Sequence, residues 1–215
     1  MNTEAARFNM VEQQIRTWNV LDPNVLAACE NVRRECFVPE AFKNLAFSDI
    51  EIEIDFKEKM ITPKICARAA QALLIAKTDL VLEIGTGSGY MSAILSSLGD
   101  NVVTYEINAK LAQLAQKNIS DAQIVNCVVR TDDGLKVDLD VYDVIMLTGS
   151  LSCRSPHLER HLTIGGRLFC VVGKTPSMQA TLVTRTAKDA WTAECLFETE
   201  LMPLTGAEHT KKFKF

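Results

Sequence analysis

The spacing of apolar positions changes several times along the chain, and each change predicts a different element. Phe8, Val11, Ile15 and Trp18 recur every three or four residues, which predicts one face of an amphipathic helix. Asp22-Pro23 then reads as an N-cap with proline at the first helical position, opening a second helix that buries Val25, Leu26, Cys29 and Val32. Beyond Phe37-Val38-Pro39, acids and isoleucines alternate from Asp49 to Asp55, the period of a half-exposed strand. Thr62-Pro63 is a further cap signal, with Ile65, Ala69, Ala72, Leu73 and Ala76 on one face of the helix behind it.

From there the pattern alternates strand and helix. Apolar runs predict strands at 80–84, 101–106, 123–129, 141–148 and 167–172, with helical segments near 89–98, 108–119 and 155–163 between them. Continuous apolar strands separated by helices imply a parallel sheet covered on both faces. The last stretch differs, because Gln179–Thr186 and Trp191–Met202 are joined only by Ala187-Lys188-Asp189-Ala190 and should pair as an antiparallel hairpin. The expectation is an α/β, Rossmann-like class I methyltransferase fold: a mostly parallel seven-stranded sheet, helices on both faces, and an antiparallel C-terminal strand. One domain should span 1–215, with a helical and loop layer at 1–60 and the core at 61–215.

The chemistry concentrates at Val81-Leu82-Glu83-Ile84-Gly85-Thr86-Gly87-Ser88-Gly89-Tyr90, a buried strand ending in an acid and three alternating glycines. Glycines let a main chain approach a ligand closely, and an acid about 20 residues on can bond a ribose hydroxyl. Glu106, at the end of the next apolar run, is that acid; its other reading is a strand-end surface carboxylate. A dinucleotide fingerprint would need glycine where Tyr90 stands. A carboxylate at Glu83 would repel a pyrophosphate and suits a ligand with a cationic end. S-adenosyl-L-methionine carries a sulfonium and an ammonium, so it is the expected cofactor. Glu83, Gly85, Thr86, Gly87, Ser88, Gly89, Glu106 and Ile107 are its expected contacts; the later Asp132-Asp133-Gly134 run adds to the signal for this donor but also has the composition of a plain polar turn.

Composition narrows the class without changing it. With 215 residues, 47% hydrophobic and 23% charged, the chain suits one globular domain with a full core. No apolar run approaches the roughly 20 residues that span a bilayer, and the polar start lacks a signal-peptide core. A net charge of -4 argues against wrapping a nucleic-acid backbone. Seven scattered cysteines with no C-x-x-C pair read as reduced core residues. A cytoplasmic protein is expected, with no nucleic-acid or membrane partner and an oligomeric state that the sequence leaves open. His157 and His161 stand four apart on a predicted helix but lack a third ligand, so no metal site is expected. The tail from His209 to Phe215 alternates base and aromatic at its end and is expected to pack its phenylalanines on the domain.

The chain resembles the protein-L-isoaspartate O-methyltransferase family over nearly its whole length. The resemblance is carried by Met10-Val11-Glu12-Gln13-Gln14-Ile15-Arg16, by Arg34-Glu35-Cys36-Phe37-Val38-Pro39-Glu40-Ala41-Phe42, and by Ala46-Phe47-Ser48-Asp49. It continues through Glu83 to Tyr90, Asp132-Asp133-Gly134, and Leu162 to Leu168 with Val171-Val172-Gly173. The resemblance implies a repair enzyme that methylates the abnormal α-carboxylate of isoaspartyl residues in damaged proteins, which would then be its partners. It also implies that Asp133 and Gly134 lie beside the adenine of the donor, with Asp132 in place of a family glycine, and that Thr205, in Pro203-Leu204-Thr205-Gly206, approaches the donor.

The chain departs from the family at the acceptor loop. Family members carry a pattern resembling G-x-T-I-S-x-P, whose serine is their active-site residue; here the stretch is Lys57-Glu58-Lys59-Met60-Ile61-Thr62-Pro63. Anchored on Pro63, the serine falls on Ile61 and the preceding threonine on Lys59. Two residues could replace the lost hydroxyl. Thr62 would supply one if the loop were a residue shorter, or it is the N-cap of the next helix. Lys59 would anchor a carboxylate by charge, or it is a solvated loop lysine. A relative with another acceptor and a noncatalytic donor-binding module are the alternative functions.

Overall fold

A computed structural model describes residues 3–207, so the tail expectation on His209 to Phe215 lies outside the described residues. The first helix, α1 (Thr3–Asn9), runs into a π-helical turn at Met10–Ile15 and a 3-10 turn at Arg16–Trp18. That change of period corrects the predicted face. Met10, Val11 and Ile15 are fully buried, whereas Phe8 is 60% and Trp18 38% exposed, because the wider π turn rotates the residues on either side of it. The second helix, α2 (Pro23–Asn31), starts as expected, with Asp22 Oδ1 accepting from the Asn24 amide at 2.8 Å.

Two short strands follow, β1 (Ile52–Glu53) and β2 (Lys59–Met60), paired antiparallel with Ile52 opposite Met60. The predicted strand at 49–55 is thus reduced to two residues, although its alternation holds: Ile52 and Ile54 are buried and Glu53 is exposed. Helix α3 (Pro63–Leu73) then lays Ile65, Cys66, Ala69, Ala70 and Leu73 into the core.

The main sheet contains β3 (Leu80–Ile84), β4 (Asn101–Glu106), β5 (Cys127–Thr131), β6 (Tyr142–Leu151), β7 (Leu162–Lys174), β8 (Ser177–Ala187) and β9 (Ala190–Glu198). Its order is β5-β4-β3-β6-β7-β8-β9. The pairs from β5 through to β7 are parallel, and β7-β8 and β8-β9 are antiparallel, as the hairpin signal required. The helices between strands are α4 (Tyr90–Leu98), α5 (Ala109–Asp121) and α6 (Pro156–Arg160).

Two boundaries moved for local reasons. Strand β5 begins at Cys127 rather than 123, since Gln123 takes a left-handed φ of 58° after α5 and Val125 is 96% exposed. The third helical segment stops at Arg160, and the chain enters β7 at Leu162, earlier than predicted. One apolar cluster joins the N-terminal layer, α3, α4 and α5 to one face of the sheet. A second, with Leu139, Leu147 and Leu158, covers the other face.

Candidate active site

Strand order reverses between β3 and β6, and the carboxyl ends of β3, β4, β5 and β6 converge there on a cleft of about 340 Å³. Open α/β sheets leave such a crevice at this reversal, and its volume lies in the range that holds a small ligand. The cleft brings together Gly85, Gly87, Glu106, Ile107, Asp133, Gly134 and Thr205, all singled out by sequence. Lys59 joins them from the acceptor loop.

The loop after β3 is shaped by its glycines. Gly85, Gly87 and Gly89 have φ of 96°, 54° and 87°, a region that costs other residues about 1–2 kcal/mol each. Glu106, nearly buried at the end of β4, accepts from the Gly87 amide at 2.9 Å through Oε2 and from the Asn108 amide at 3.0 Å through Oε1. It therefore ties the glycine loop to the start of α5 while still lining the cleft. Asp133 Oδ1 accepts from the Leu135 amide at 3.1 Å, and its Oδ2 pairs with Lys136 at 2.7 Å. Gly134 rests on Tyr105 and Ile84, where an added Cβ would lie 2.9 Å from the Tyr105 Cβ.

Other predicted contacts lie elsewhere. Thr86 and Ser88 are buried beside a smaller cavity under the loop, with Thr86 Oγ1 2.7 Å from Thr104 Oγ1. Gly89 caps α4 and packs on Ile119 and Ala115. Glu83 does not line the cleft, because its strand position turns the side chain into the core. There it is fully buried, and one oxygen accepts from the Ser92 hydroxyl and, at 2.7 Å, from the Thr104 hydroxyl. Its second oxygen has no partner.

Burial pushes the Glu83 carboxyl up to about 7, the two hydroxyl donors pull it partly back, and the Glu106 charge adds a smaller rise. The folded protein therefore binds this proton more tightly than the unfolded chain. The stability it contributes is full below about pH 4.5, falls as pH rises towards 7, and stays low above that. Glu83→Gln should flatten this part of the profile. Thermal melts from pH 5 to 8 should show the wild type losing about 2–3 kcal/mol more than the variant, and parallel profiles would contradict the assignment.

The acceptor loop crosses the mouth of the cleft. Phe56 and Lys57 take φ of 65° and 66°, and the loop returns as β2. Lys59 Nζ pairs with Glu51 Oε2 at 3.2 Å across the β1-β2 ladder, and both side chains remain partly exposed at the cleft wall. Ile61 is buried against the cleft, and its carbonyl accepts from Arg34 Nη2 at 3.0 Å. Thr62 stands at the N-cap position of α3 without a side-chain cap bond, and its hydroxyl is buried, unpartnered and away from the cleft lining. Thr62 thus takes the N-cap position of its second reading without using its hydroxyl there, and it gives the cleft no hydroxyl. Burial and the nearby Glu106 raise the Glu58 carboxyl above its ordinary value.

A model of the protein-L-isoaspartate(D-aspartate) O-methyltransferase family matches residues 5–209. The chain belongs to that family. It is 39% identical over 202 residues to the protein-L-isoaspartate O-methyltransferase of Protochlamydia amoebophila, covering 93% of this chain and 96% of the relative. The enzyme of Methanospirillum hungatei is 36% identical over 208 residues, with 96% of each chain covered. The crystal structure of a protein-L-isoaspartate O-methyltransferase from Plasmodium falciparum, bound to S-adenosyl-L-homocysteine, superposes with a TM-score of 0.81 over 95% of this chain and 98% of that one. At 17% identity, it supports the fold.

Membership in the isoaspartyl methyltransferase family makes the chain an S-adenosylmethionine-dependent O-methyltransferase. Against the family's loop pattern, Lys57 stands at the glycine and keeps the left-handed backbone that glycine would adopt freely, while Ile61 stands at the serine. The family's Phe-Val-Pro segment also finds a structural role: the Phe37 ring meets Tyr90 at 5.8 Å, so it braces the helix that follows the glycine loop. Thr148, Leu204 and Ile54 are among the lining residues that were missed. Thr148 holds the loop through its hydroxyl, donating to the Gly85 carbonyl at 2.5 Å. The break it makes in the apolar run of β6 was the available signal. Leu204 and Ile54 reach the cleft from distant segments and left no local sign.

The segment 201–207 is fixed across the end of β6 by Ser150, whose amide donates to the Met202 carbonyl at 2.8 Å and whose carbonyl accepts from Leu204 at 3.0 Å. This crossing carries Thr205 to the cleft. No helix among the described residues is long and apolar enough to cross a membrane. The His157 and His161 rings meet edge to face with centroids 4.9 Å apart, and no group of three possible metal ligands occurs among the described residues.

Proposed function

We propose that this enzyme binds S-adenosylmethionine across Gly85, Gly87, Glu106, Ile107, Asp133, Gly134 and Thr205, and methylates isoaspartyl carboxylates held by Lys59. The observation that carries this is the convergence of Lys59 with the glycine loop and Glu106 on one cleft. The residues fit the donor: Glu106 has free lone pairs beside a backbone brought close by glycines, and Ile84, Leu111 and Leu135 offer apolar walls to a base. When bound, the donor supplies an electrophilic methyl on a sulfonium.

The acceptor needs little activation, since a carboxylate with a pKa near 4 is already ionised at neutral pH and no general base is required. The chain must align one carboxylate oxygen and exclude water. Ile54, Phe56, Ile61 and Leu204 give that end of the cleft its apolar surface. Lys59 takes the role of the missing hydroxyl by exchanging Glu51 for the acceptor carboxylate, a charge-assisted bond.

Lys59→Met should therefore raise KM for an isoaspartyl peptide about tenfold, the value of one charge-assisted bond, with S-adenosylhomocysteine affinity changed less than about twofold. An unchanged KM would remove Lys59 from the acceptor site. One observation favours a second reading, in which the acceptor is neutral: Glu51, Glu58, Asp132 and Asp133 line the cleft with Lys59, and Glu58 has a raised carboxyl that could act as a base.

A further inference from the structure

A second cavity of about 40 Å³ adjoins the cleft beneath the glycine loop. It shares Lys59, Ile61, Gly85, Gly87 and Thr148 with the cleft and is also lined by Arg34 and Tyr90. Arg34 is wholly buried. Its Nε donates to the Ala46 carbonyl and its Nη2 to the Ile61 carbonyl, each at 3.0 Å, while Nη1 is buried without a partner. The guanidinium lies over the Tyr90 ring, 4.5 Å from its centroid, and the Tyr90 hydroxyl is buried beside that guanidinium with no other partner. No ion pair among the described residues involves Arg34.

A buried cation with no counter-ion and an open donor is costly, and native proteins seldom keep one without a use. Here two buried donors, one of them charged, have at most each other as partners, and both residues line one small space at the edge of a ligand cleft. A carboxylate complements them in charge and in hydrogen-bond sense, since its oxygens can accept from both donors. We propose that Arg34 and Tyr90 form a carboxylate-receiving site entered from the cleft. This rests on the donor-site reading above. Two carboxylates belong to the reaction, the amino-acid end of the methyl donor and the acceptor itself, and their shared chemistry is what the pair recognises.

The test uses Arg34→Lys and Tyr90→Phe in the full chain. The phenylalanine variant keeps the ring under the guanidinium and removes only the hydroxyl, so it remains informative if Arg34→Lys folds poorly. Each protein is titrated with S-adenosylhomocysteine and with 5′-methylthioadenosine, which has the same nucleoside and thioether but no amino-acid carboxylate. KM for an isoaspartyl peptide is measured alongside. If the site takes the donor's carboxylate, S-adenosylhomocysteine binding weakens about tenfold in Arg34→Lys and about fivefold in Tyr90→Phe, with 5′-methylthioadenosine unchanged. If it takes the acceptor's carboxylate, both nucleosides bind as before and KM rises about tenfold. Equal weakening of both nucleosides would make Arg34 a support of the loop and overturn the proposal, as would no change in any of the three, which would leave the cavity to water. A wild type that binds neither nucleoside would be a separate failure, that of the donor site itself.

Discussion

Gly85→Ala is expected to weaken S-adenosylhomocysteine binding at least about 100-fold by calorimetry, the largest effect of any single methyl in this protein. The backbone there has φ of 96°, and a Cβ would overlap the Thr148 hydroxyl and lie 3.1 Å from Leu204 Cδ2. Neither neighbour can yield cheaply. Thr148 holds the carbonyls of Ile84 and Gly85, and Leu204 belongs to the segment pinned across β6. Relief must therefore move the loop, the β6 end and the 202–205 wall together, and all of them line the cleft. Gly165→Ala is the matched control, since its φ is 86° and its added methyl meets nothing within 4 Å. It should cost about 1–2 kcal/mol of stability and leave affinity unchanged. Equal affinities for the two variants would show that the loop does not contact the donor.

The second large effect is expected at Glu106. In Glu106→Gln the amide NH2 must face either the Gly87 or the Asn108 amide, so one of the two bonds that tie the loop to α5 becomes a clash of donors. The charge that would strengthen a bond to a ribose hydroxyl is lost as well. Charge-assisted bonds are worth about 1.5–3 kcal/mol, and the two losses together should weaken S-adenosylhomocysteine binding about 30- to 100-fold. A change under about threefold would remove Glu106 from the donor site.

The sheet was legible because its strands are continuous apolar runs with strong breaks between them. The N-terminal layer was less so: Phe8 and Trp18 keep a helical spacing that a π turn at Met10–Ile15 puts out of phase, and that turn is set by packing rather than by local propensity. Within the site, Gly85, Gly87 and Glu106 could be read because their chemistry is local and their spacing follows from one strand-to-strand step. Glu83 lies away from the cleft lining. Side chains alternate along β3, and the position that looks closest to the loop points into the core, against Ser92 and Thr104. Arg34 and Leu204 could not be read at all, since their partners lie far along the chain and only the fold brings them together.

The loop at 57–62 is where function is most open to experiment, because Ile61 gives the acceptor no hydroxyl and Lys59 gives it a charge. The most direct measurement is transfer of labelled methyl from S-adenosylmethionine to an isoaspartyl peptide and to its normal aspartyl twin. The account predicts label on the isoaspartyl peptide alone, released slowly as the ester collapses. Tight binding of S-adenosylhomocysteine with no label on either peptide would contradict it and move the search to a neutral acceptor served by Glu58.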